Sequence, residues 1–328
     1  MENIEVEIPS FLAGAPTIPV ELVTCGVCFC AEAKNYSSSY DYEYGTCANK
    51  WRFVQCEACN NIYLNPRPTP HTLQTIYPTN YYSYQYETQI HWLARKAKQW
   101  LDKKKFLFIQ KNLIVKIRRY IDIGCGTGRY LRLMESQGLH KKDIIGFELS
   151  QKVVDELKRD GFEAYCGFFE DIGSIAPGSV QLITLFSVLE HLPSPMNTVK
   201  KAHLLLEKGG MLVFEVPNPR STNARWFKNE YWGGYHTPRH WNLFDIETVK
   251  KQFLPVGFEL VKLKRSTGHA FWLWSLHNWF LKRGNNKIAK FFHPSRCIPG
   301  LLFFTCFDII RGWFNFETDN NIFFLKKI

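Results

Sequence analysis

The feature of this 328-residue chain that most constrains its fold is a short turn built on three closely spaced glycines. The run KIRRYIDIG leads into CGTGRYLRLME, so Gly124, Gly126 and Gly128 fall between a predicted strand and a predicted helix. Glycines permit positive φ and close backbone approach, and the helix N-terminus beyond them offers free N–H groups to an anionic ligand. The dinucleotide-binding fingerprint places its third glycine three residues after the second. Here that distance is two residues, which disfavours a nicotinamide cofactor.

The segment around this turn, from residue 116 to about 267, alternates short apolar runs with helical stretches. That alternation is typical of a parallel sheet whose strands are joined by crossover helices. We therefore predict an α/β fold with a Rossmann-like, doubly wound, seven-stranded sheet. The predicted strands are 117–123, 143–148, 163–166, 180–186, 210–216, 258–264 and 321–327. The predicted helices are 128–137, 151–159, 196–207 and 246–253, with C-caps expected at Gly138, Gly161 and Gly209.

Two acids follow the first two predicted strands of this sheet. Asp122 ends the first strand, where its carboxylate can accept hydrogen bonds from a cationic amine. Glu148, in the run GFELS, ends the second strand, where it can accept from both hydroxyls of a ribose. Strand, glycine turn, helix and second-strand acid together predict a nucleoside-type cofactor with an amino-acid end.

Four runs together resemble the class I S-adenosylmethionine-dependent methyltransferases of the type 11/23-like group. They are DIGCGTG at 122–128, GFELS at 146–150, GFFEDI at 167–172 and LFSVLEHLPSP at 185–195. The resemblance implies that Asp122, Gly124 and Gly126 hold the amino-acid end of S-adenosylmethionine, with Gly128 completing the loop, and that Glu148 holds the ribose.

The resemblance extends to the adenine and methionine ends of the cofactor. It implies that Phe168, Phe169 and Glu170 lie beside the adenine and that Phe186 and Ser187 border the methionine portion. Many relatives carry an Asp where Phe168 stands, so the hydrogen bond to the adenine edge is expected from backbone. Glu190 and His191 are interpreted as helix-entry and packing residues. A metal or catalytic role stays open for them, although the Glu that binds a divalent ion in some similar quinone O-methyltransferases is Ser187 here.

Two cysteine pairs precede this domain. Cys25 and Cys28 form one C-x-x-C pair, and Cys56 and Cys59 form a second. The two pairs are separated by 27 residues. That spacing is typical of a zinc ribbon in which four thiolates surround a structural Zn²⁺ tetrahedrally; two unrelated pairs of thiols are the alternative. We predict a zinc-ribbon-like unit at 25–70 after an N-terminal extension at 1–24, with Cys30 and Cys47 as ordinary thiols. Two C-x-x-C pairs followed by IYLNPRP resemble a bacterial subgroup associated with sugar or cell-surface-polymer modification.

Positive charge is concentrated in two zones. The net charge is +11, with +9 in residues 95–119 and +8 in residues 261–328, so the rest of the chain is mildly acidic. The first zone contains a predicted basic amphipathic helix at about 86–112, within a linker at 71–115. Such zones suit nucleic acid or an acidic membrane surface. Solvated Lys and Arg faces without a partner are the alternative.

An apolar insert at about 268–316 interrupts the predicted methyltransferase domain at 116–328. Its longest apolar run, Cys297 to Phe307, is much shorter than the ~20 residues that a membrane-spanning helix needs. We predict that the insert lies on a membrane surface; packing against the basic helix or a dimer interface is the alternative. The residues on which this prediction depends are Phe271, Trp272, Trp274, Trp279, Phe280 and Trp313, interspersed with Lys282, Arg283, Lys287, Lys290 and Arg296.

The segment after the fifth predicted strand, at 216–244, occupies the acceptor side of such a fold. His236 and His240 are candidate general bases, and Tyr235 and Arg239 could position a hydroxylated or anionic acceptor. A packed turn before the next helix is the alternative interpretation.

The leading functional hypothesis is O-methylation, or in second place C-methylation, of a small-molecule or lipid-linked sugar or glycan. A methyltransferase for rRNA or tRNA is the alternative, but no Asn-Pro-Pro-aromatic motif follows the fourth strand. A non-catalytic zinc-scaffold binding protein is a third hypothesis. Because the first 24 residues do not resemble a secretory signal, we expect a cytoplasmic protein, peripheral on the inner face of the membrane if the insert binds lipid. The sequence leaves the oligomeric state open.

Overall fold

The computed structural model describes residues 8–78, 92–173 and 175–328. Its centre is a seven-stranded sheet in the order β12-β13-β10-β9-β6-β7-β8. Strand β13 is antiparallel to both of its neighbours, and the other adjacent strands from β10 to β8 are parallel. The strands are β6 (Tyr120–Ile123), β7 (Ile144–Glu148), β8 (Glu163–Cys166), β9 (Val180–Phe186), β10 (Leu206–Pro217), β12 (Phe258–Ser266) and β13 (Asn320–Lys327). The predicted fold class is confirmed.

Helices cover both faces of this sheet. In β13, Phe323 and Leu325 belong to one buried cluster, whereas Ile322 and Phe324 belong to another. Alternate residues of a strand point to opposite faces, so each face of the sheet has its own core. The flanking helices are α2 (Trp92–Asn112), α3 (Arg129–Ser136), α4 (Gln151–Arg159) and α5 (Pro195–Leu205), and the predicted helix at 246–253 is a short α7 (Ile246–Thr248) continued by a π-helical turn (Val249–Phe253).

The starts of two strands differ from the sequence-based prediction by three or more residues. The N–H groups of Arg118 and Arg119 donate to the side-chain oxygen of Gln181, so the first strand of the sheet begins only at Tyr120. Strand β10 begins at Leu206 and contains an irregularity before Met211. Gly209, with φ 83°, therefore lies within this irregular strand start and is not the C-cap of α5.

The predicted basic helix is observed as α2, and residues 86–91 of that prediction lie outside the described residues. Phe106 and Ile109 of α2 are buried against the sheet. Trp100 and Leu107 are exposed, and Lys104 lies over the Trp100 ring. Helix α2 is therefore part of the core on one side and a basic surface on the other.

The N-terminal cysteine unit shares a sheet with the acceptor-side segment. A four-stranded sheet has the order β11-β4-β3-β2, and β11 pairs antiparallel with β4. Its strands are β2 (Ala33–Ser39), β3 (Trp51–Cys56), β4 (Ile62–Leu64) and β11 (Asn242–Leu243), and a two-stranded ribbon joins β1 (Val20–Glu21) to β5 (Arg67–Pro68). Trp51 and Phe53 share a buried cluster with Trp232 and Tyr235. The two predicted units are therefore packed into one structure.

The insert between β12 and β13 forms three helices: α8 (His269–Lys282), α9 (Asn286–Phe291) and α10 (Ile298–Trp313). Trp272 is 3% exposed, so this member of the predicted surface aromatics is a core residue, whereas Trp313 is 78% exposed. Within the described residues, no helix is both long and apolar enough to cross a membrane. Two further short helices are α1 (Leu73–Ile76) and α6 (Thr222–Trp226).

Candidate functional site

The glycine turn lies between β6 and α3, at the edge where the parallel strands end. Gly124, Gly126 and Gly128 all have positive φ, at 69°, 50° and 82°. A Cβ at Gly124 would lie 2.4 Å from a methyl group of Val188, whereas a Cβ at Gly126 would meet nothing within 4 Å. The turn therefore needs glycine for its backbone conformation, and the space in front of Gly126 is open to a ligand.

Asp122 is buried at the end of β6. Its Oδ1 accepts a hydrogen bond of 2.6 Å from the Thr184 hydroxyl, while its Oδ2 has no partner among the described residues. Burial raises the pKa of Asp122 to about 7. An incoming cationic amine would supply the missing partner and favour the ionised carboxylate.

Glu148 is brought directly to the glycine turn. Its Oε2 accepts from the Gly126 N–H at 3.0 Å, and its Oε1 accepts from the Leu149 N–H at 2.8 Å. These backbone donors hold the carboxylate at the end of β7, next to the turn. Glu148, the predicted ribose-binding acid, and the predicted amino-acid-binding loop at 122–128 thus lie side by side where β6 and β7 end. We call the space in front of them the crevice.

The three residues expected beside an adenine differ in orientation. Phe168 is half-buried, whereas Phe169 is buried and packs edge-on against Phe147, with ring centroids 5.0 Å apart. The carboxylate of Glu170 accepts from the Thr198 hydroxyl on α5. The side chains of Phe169 and Glu170 therefore serve packing, and only Phe168 keeps a side chain that could reach an adenine.

Phe186 and Ser187 lie where the methionine portion is expected. Ser187 is exposed and has φ 57°, an unusual backbone conformation for a residue other than glycine. Phe186 packs against Tyr130, with ring centroids 4.9 Å apart, and Lys105 of α2 lies over its ring. The crevice is therefore closed on this side by α2.

A partly buried ion pair at this edge could not be predicted from the sequence. Lys105 Nζ lies 2.6 Å from Glu215 Oε2. Burial favours the neutral amine of Lys105, but Glu215 and further nearby acidic groups together outweigh burial and raise the pKa of Lys105. Burial also favours the neutral carboxyl of Glu215, but Lys105 with Ser266 and Lys264 outweighs burial and lowers the pKa of Glu215. The only sequence signal was an acid inside the apolar run MLVFEVP.

The acceptor-side segment is held by two carboxylates of the cysteine unit, which the sequence analysis also missed. Arg239 is fully buried and pairs with Asp41, with each contact 3.1 Å long. His236 Nδ1 lies 2.7 Å from Glu43 Oε2, and both side chains are less than a tenth exposed. Both acids belong to the short run YDYEYG at 40–45. Because this run is far from residues 236–239 in sequence, local sequence patterns gave no indication of the pairing.

Tyr235 and Arg239, two of the four predicted acceptor-side residues, form hydrogen bonds with other groups of the protein. The hydroxyl of Tyr235 donates to the Lys228 carbonyl, and its ring stacks on Phe53. Arg239 also donates to the carbonyls of Ile76 and Thr237. The polar groups of Tyr235 and Arg239 are therefore used inside the protein, and a contact of these residues with an acceptor stays a prediction.

His240 lies in a buried cluster with Glu190 and His191. Each of the three offers one ligand atom, and these atoms lie within 4.8 Å of one another. Both carboxylate oxygens of Glu190 lack a hydrogen-bond partner among the described residues. One carboxylate and two imidazoles form a donor set that a divalent cation could accept. The packing interpretation of Glu190 and His191 stays a prediction.

Burial governs the charge of this cluster. It raises the pKa of Glu190 to about 8. It also lowers the pKa of His240 well below the usual value, and with the nearby His236 it lowers the pKa of His191 to about 3. His240 Nδ1 lies 2.8 Å from the Gly234 carbonyl, which fixes that nitrogen as the N–H donor. His240 is therefore a neutral imidazole at neutral pH.

The four predicted zinc ligands converge on one point. Cys25 Sγ lies 3.6 Å from Cys59 Sγ, and Cys28 Sγ lies 3.5 Å from Cys56 Sγ. Four thiolates at the usual Zn–S distance of about 2.3 Å around a tetrahedral ion are about 3.8 Å apart, so the cluster fits Zn²⁺. Cys30 instead donates to Glu32. A closed set of four thiolates leaves no open position for water, so a bound zinc ion here would be structural.

A family model described as a methyltransferase domain matches residues 86–263. The chain belongs to this methyltransferase family. The match includes the glycine turn, Glu148 and the Glu190–His191 pair, and it ends in β12.

Curated relatives support the same assignment over shorter stretches. The ubiquinone biosynthesis O-methyltransferase of Chromobacterium violaceum is 25% identical over 150 residues, which cover 40% of this chain and 63% of that protein. The enzyme of the same name from Aromatoleum aromaticum is 28% identical over 117 residues, 34% of this chain and 49% of that protein. The chain therefore spans about half to under two thirds of the length of these curated relatives.

Among solved structures, a SAM-dependent methyltransferase from Archaeoglobus fulgidus is 18% identical, with a TM-score of 0.45, and the match covers 70% of this chain and 94% of that one.

We expect wild-type protein purified without chelator to contain one zinc ion per chain, measured by elemental analysis. Cys59→Ser should lower the zinc content and the unfolding temperature, because binding of a structural metal contributes directly to folding. Cys166→Ser, at an exposed cysteine outside the cluster, should change neither. Displacement of zinc from the wild-type protein by a mercurial reagent gives the same stoichiometry without a variant. Zinc-free wild-type protein would contradict the assignment.

We expect the affinity for S-adenosylmethionine to rise with pH between 5.5 and 7.5. Because burial raises the pKa of Asp122 to about 7, the carboxyl is protonated below that pH and must lose a proton to pair with the cationic amine. Calorimetric titration should show the dissociation constant falling by up to about tenfold per pH unit below 7 and levelling off above it. Asp122→Asn should flatten this dependence, and Asp155→Asn on the exposed face of α4 should preserve it. A pH-independent affinity in the wild type would contradict the role of Asp122.

Proposed function

We propose that this protein transfers a methyl group from S-adenosylmethionine to a hydroxyl oxygen of an acceptor. Membership of the methyltransferase family and the ubiquinone O-methyltransferases among its relatives support this proposal. The observation that carries it is the 2.7 Å contact between Glu43 and His236 on the acceptor side. A hydroxyl must lose its proton to become methylated, and a histidine oriented by a carboxylate is suited to take that proton.

In this mechanism the acceptor oxygen attacks the sulfonium methyl carbon in line with the departing sulfur. The O–CH₃ bond forms as the S–CH₃ bond breaks, S-adenosylhomocysteine leaves, and the hydroxyl proton passes to His236. Glu43 holds one imidazole nitrogen and stabilises the imidazolium that results. The remaining work is alignment, which a fixed crevice supplies by holding both reactants in one geometry.

His236 suits the role of base better than His240, although the sequence analysis left the choice open. The pKa of His240 is lowered well below its usual value by burial, which makes it a weak base. His240 lies beside Glu190, but their closest contact is 3.8 Å. It thus lacks the close carboxylate partner that His236 has.

For the acceptor we propose a sugar, either free or lipid-linked. The surroundings of His236 support a hydroxylated ring, because Tyr44 lies edge-on to it, with ring centroids 6.2 Å apart, and the carboxylate of Glu43 lies beside it. Aromatic faces and carboxylates are suitable contacts for a sugar ring. The relatives named as O-methyltransferases also support an oxygen atom as the methyl acceptor.

We call the run 40–45 and the segment at 230–240 that packs against it the acceptor wall. We further propose that the zinc unit supports this acceptor wall structurally. Asp41 and Glu43 lie in the loop between β2 and β3, and Cys56 of the predicted zinc cluster ends β3 at the opposite end of this hairpin, where it pairs with Ala33. Fixing that end of the hairpin would hold the two strands that lead to the loop with both acids. Zinc would therefore affect methyl transfer by holding Glu43 and not by activating water.

The acceptor class is tested with S-adenosylmethionine carrying a tritiated methyl group. Purified protein is incubated with separate fractions of lipid-linked glycans, nucleotide sugars, quinols and RNA. We expect label in a glycan or sugar fraction, stable to mild base as an ether. Label in RNA alone, or in no fraction while the cofactor binds, would contradict the proposal.

For the base, we expect His236→Asn to lower kcat by about 10²- to 10⁴-fold, the usual contribution of general base catalysis. Glu43→Gln should lower kcat by a smaller factor and Glu43→Asp should restore part of it, because Asp keeps the charge. The affinity for S-adenosylmethionine should stay unchanged in all three, which separates a lost base from a collapsed site. The exposed His140→Asn serves as control. Full turnover in His236→Asn would place the base elsewhere.

A further inference from the structure

Helix α10 of the insert presents an apolar face that the described part of the chain leaves uncovered. Along it, exposed side chains recur at positions 298, 302, 306, 309 and 313, the spacing of a single helix face. We call this the outer face of α10. Its residues are Ile298, Leu302, Phe303, Cys306, Ile309, Ile310 and Trp313. Exposed contiguous apolar surface is unusual on a protein without a binding partner at that site.

No charged side chain interrupts the outer face. Helix α10 contains two charged residues, and both turn inward. Asp308 is 1% exposed and accepts from the Gly268 N–H and the Trp272 indole. Arg311 donates to the Thr222 hydroxyl and the Glu317 carbonyl. The polar groups of α10 therefore stabilise the insert, and its apolar groups point out.

Exposed aromatic and basic residues also occur in the segments that directly precede and follow α10. Phe314 and Phe316 follow α10 and are 71% and 58% exposed, while Phe291 on α9 is 63% exposed. Lys287 and Lys290 on α9 are exposed beside Phe291. Aromatic side chains rimmed by Lys and Arg are the combination found at the boundary between lipid headgroups and acyl chains.

We propose that this surface docks on an anionic membrane, with α10 lying flat at the headgroup boundary. The helix has 16 residues, or about 24 Å at 1.5 Å per residue, which is shorter than a hydrocarbon core of about 30 Å. Its inward-facing Asp308 and Arg311 also forbid insertion across the bilayer. An interfacial orientation buries the outer face in lipid and places Lys287 and Lys290 against phosphate.

Charge favours a membrane over a second copy of the chain. In a two-fold dimer the patch meets a second copy of itself, so two surfaces of the same positive charge would face each other. The insert at 268–316 holds six Lys or Arg residues and one acid, a net charge of +5. An anionic leaflet complements that charge, and a second copy repels it.

The insert also connects this surface to the acceptor wall. Helix α8 packs beneath α10 and contacts the wall directly: Ser275 Oγ accepts from the Gly233 N–H at 2.9 Å, and Asn278 donates to the Tyr231 carbonyl. Docking through α10 would hold the His236 segment at a fixed height above the membrane. This geometry suits the lipid-linked acceptor of the proposed function, but the docking itself requires neither acceptor nor cofactor.

Vesicle co-sedimentation tests the proposal on the full-length protein, with vesicles of pure phosphatidylcholine and of phosphatidylcholine mixed with phosphatidylglycerol. We expect strong pelleting with the anionic vesicles that weakens as salt rises, and little with the neutral ones. Leu302→Asp and Trp313→Asp should each weaken binding at least roughly tenfold, because one large apolar side chain leaves the lipid. Lys287→Gln and Lys290→Gln should weaken it about fivefold each, the equivalent of ~1 kcal/mol per charge.

Leu204→Asp is the matched control, since Leu204 is 54% exposed on α5, outside the insert, and Leu302 is 64% exposed. It should bind as the wild type does, and thermal unfolding should show that the variants remain folded. Equal pelleting with both vesicle types, or none with either, would overturn the proposal. A concentration-dependent dimer that Leu302→Asp dissociates would assign the outer face to a second copy of the chain. Because the assay uses no methyl acceptor, its outcome is independent of whether the proposed methyl transfer is correct.

Discussion

The arrangement of the acceptor side depends on the buried ion pair between Asp41 and Arg239. Neither side chain has measurable exposure, and a buried charge without its partner is strongly destabilising. Burial alone would raise the pKa of Asp41, but Arg239 and the hydrogen bonds from Thr46 together outweigh burial and lower that pKa. The cysteine unit and the segment at 236–244 must therefore fold against each other. The pairing of β11 with β4 and the contact of Glu43 with His236 follow from the same docking.

This constraint explains where the sequence was informative and where it was not. The strands of the large sheet could be predicted because they are continuous apolar runs, and the glycine turn because its φ values require glycine. Asp41, Glu43 and the pair of Lys105 with Glu215 could not be predicted, because they join residues more than a hundred positions apart. Local patterns carry no information about such pairs.

The contacts of the acceptor-side segment at 216–244 could not be predicted from its sequence either. Its Arg, Tyr and His residues form a pattern typical of a binding loop, and on sequence alone each was a candidate. The structure places Arg239 and Tyr235 in hydrogen bonds within the protein and leaves His236 beside an acid. Which contacts these polar side chains make within the protein depends on partners far away in sequence, such as Asp41 and Glu43. The same applies to the insert, where aromatic content predicted a surface but Trp272 is in the core.

Two buried acids have carboxylate oxygens that lack a hydrogen-bond partner within the described residues, and such oxygens suit a cationic ligand. Asp122 has one free carboxylate oxygen and Glu190 has two, within the described residues. Leaving a buried carboxylate without a partner costs free energy, and such groups are concentrated at functional sites. For Asp122 the sulfonium cofactor's amine is a suitable partner. Because Glu148 is held at Gly126, we expect the ribose of the cofactor to lie beside this turn.

The central claim is that S-adenosylmethionine binds along this edge with its ribose on Glu148. Calorimetric titration of the cofactor into wild type, Glu148→Gln and Glu148→Ala tests it most directly, with the exposed Glu156→Ala as control. Loss of a hydrogen bond to a charged acceptor costs ~1.5–3 kcal/mol, so affinity should fall about ten- to a hundredfold in both Glu148 variants and stay constant in the control. Unchanged affinity in both Glu148 variants would contradict the account.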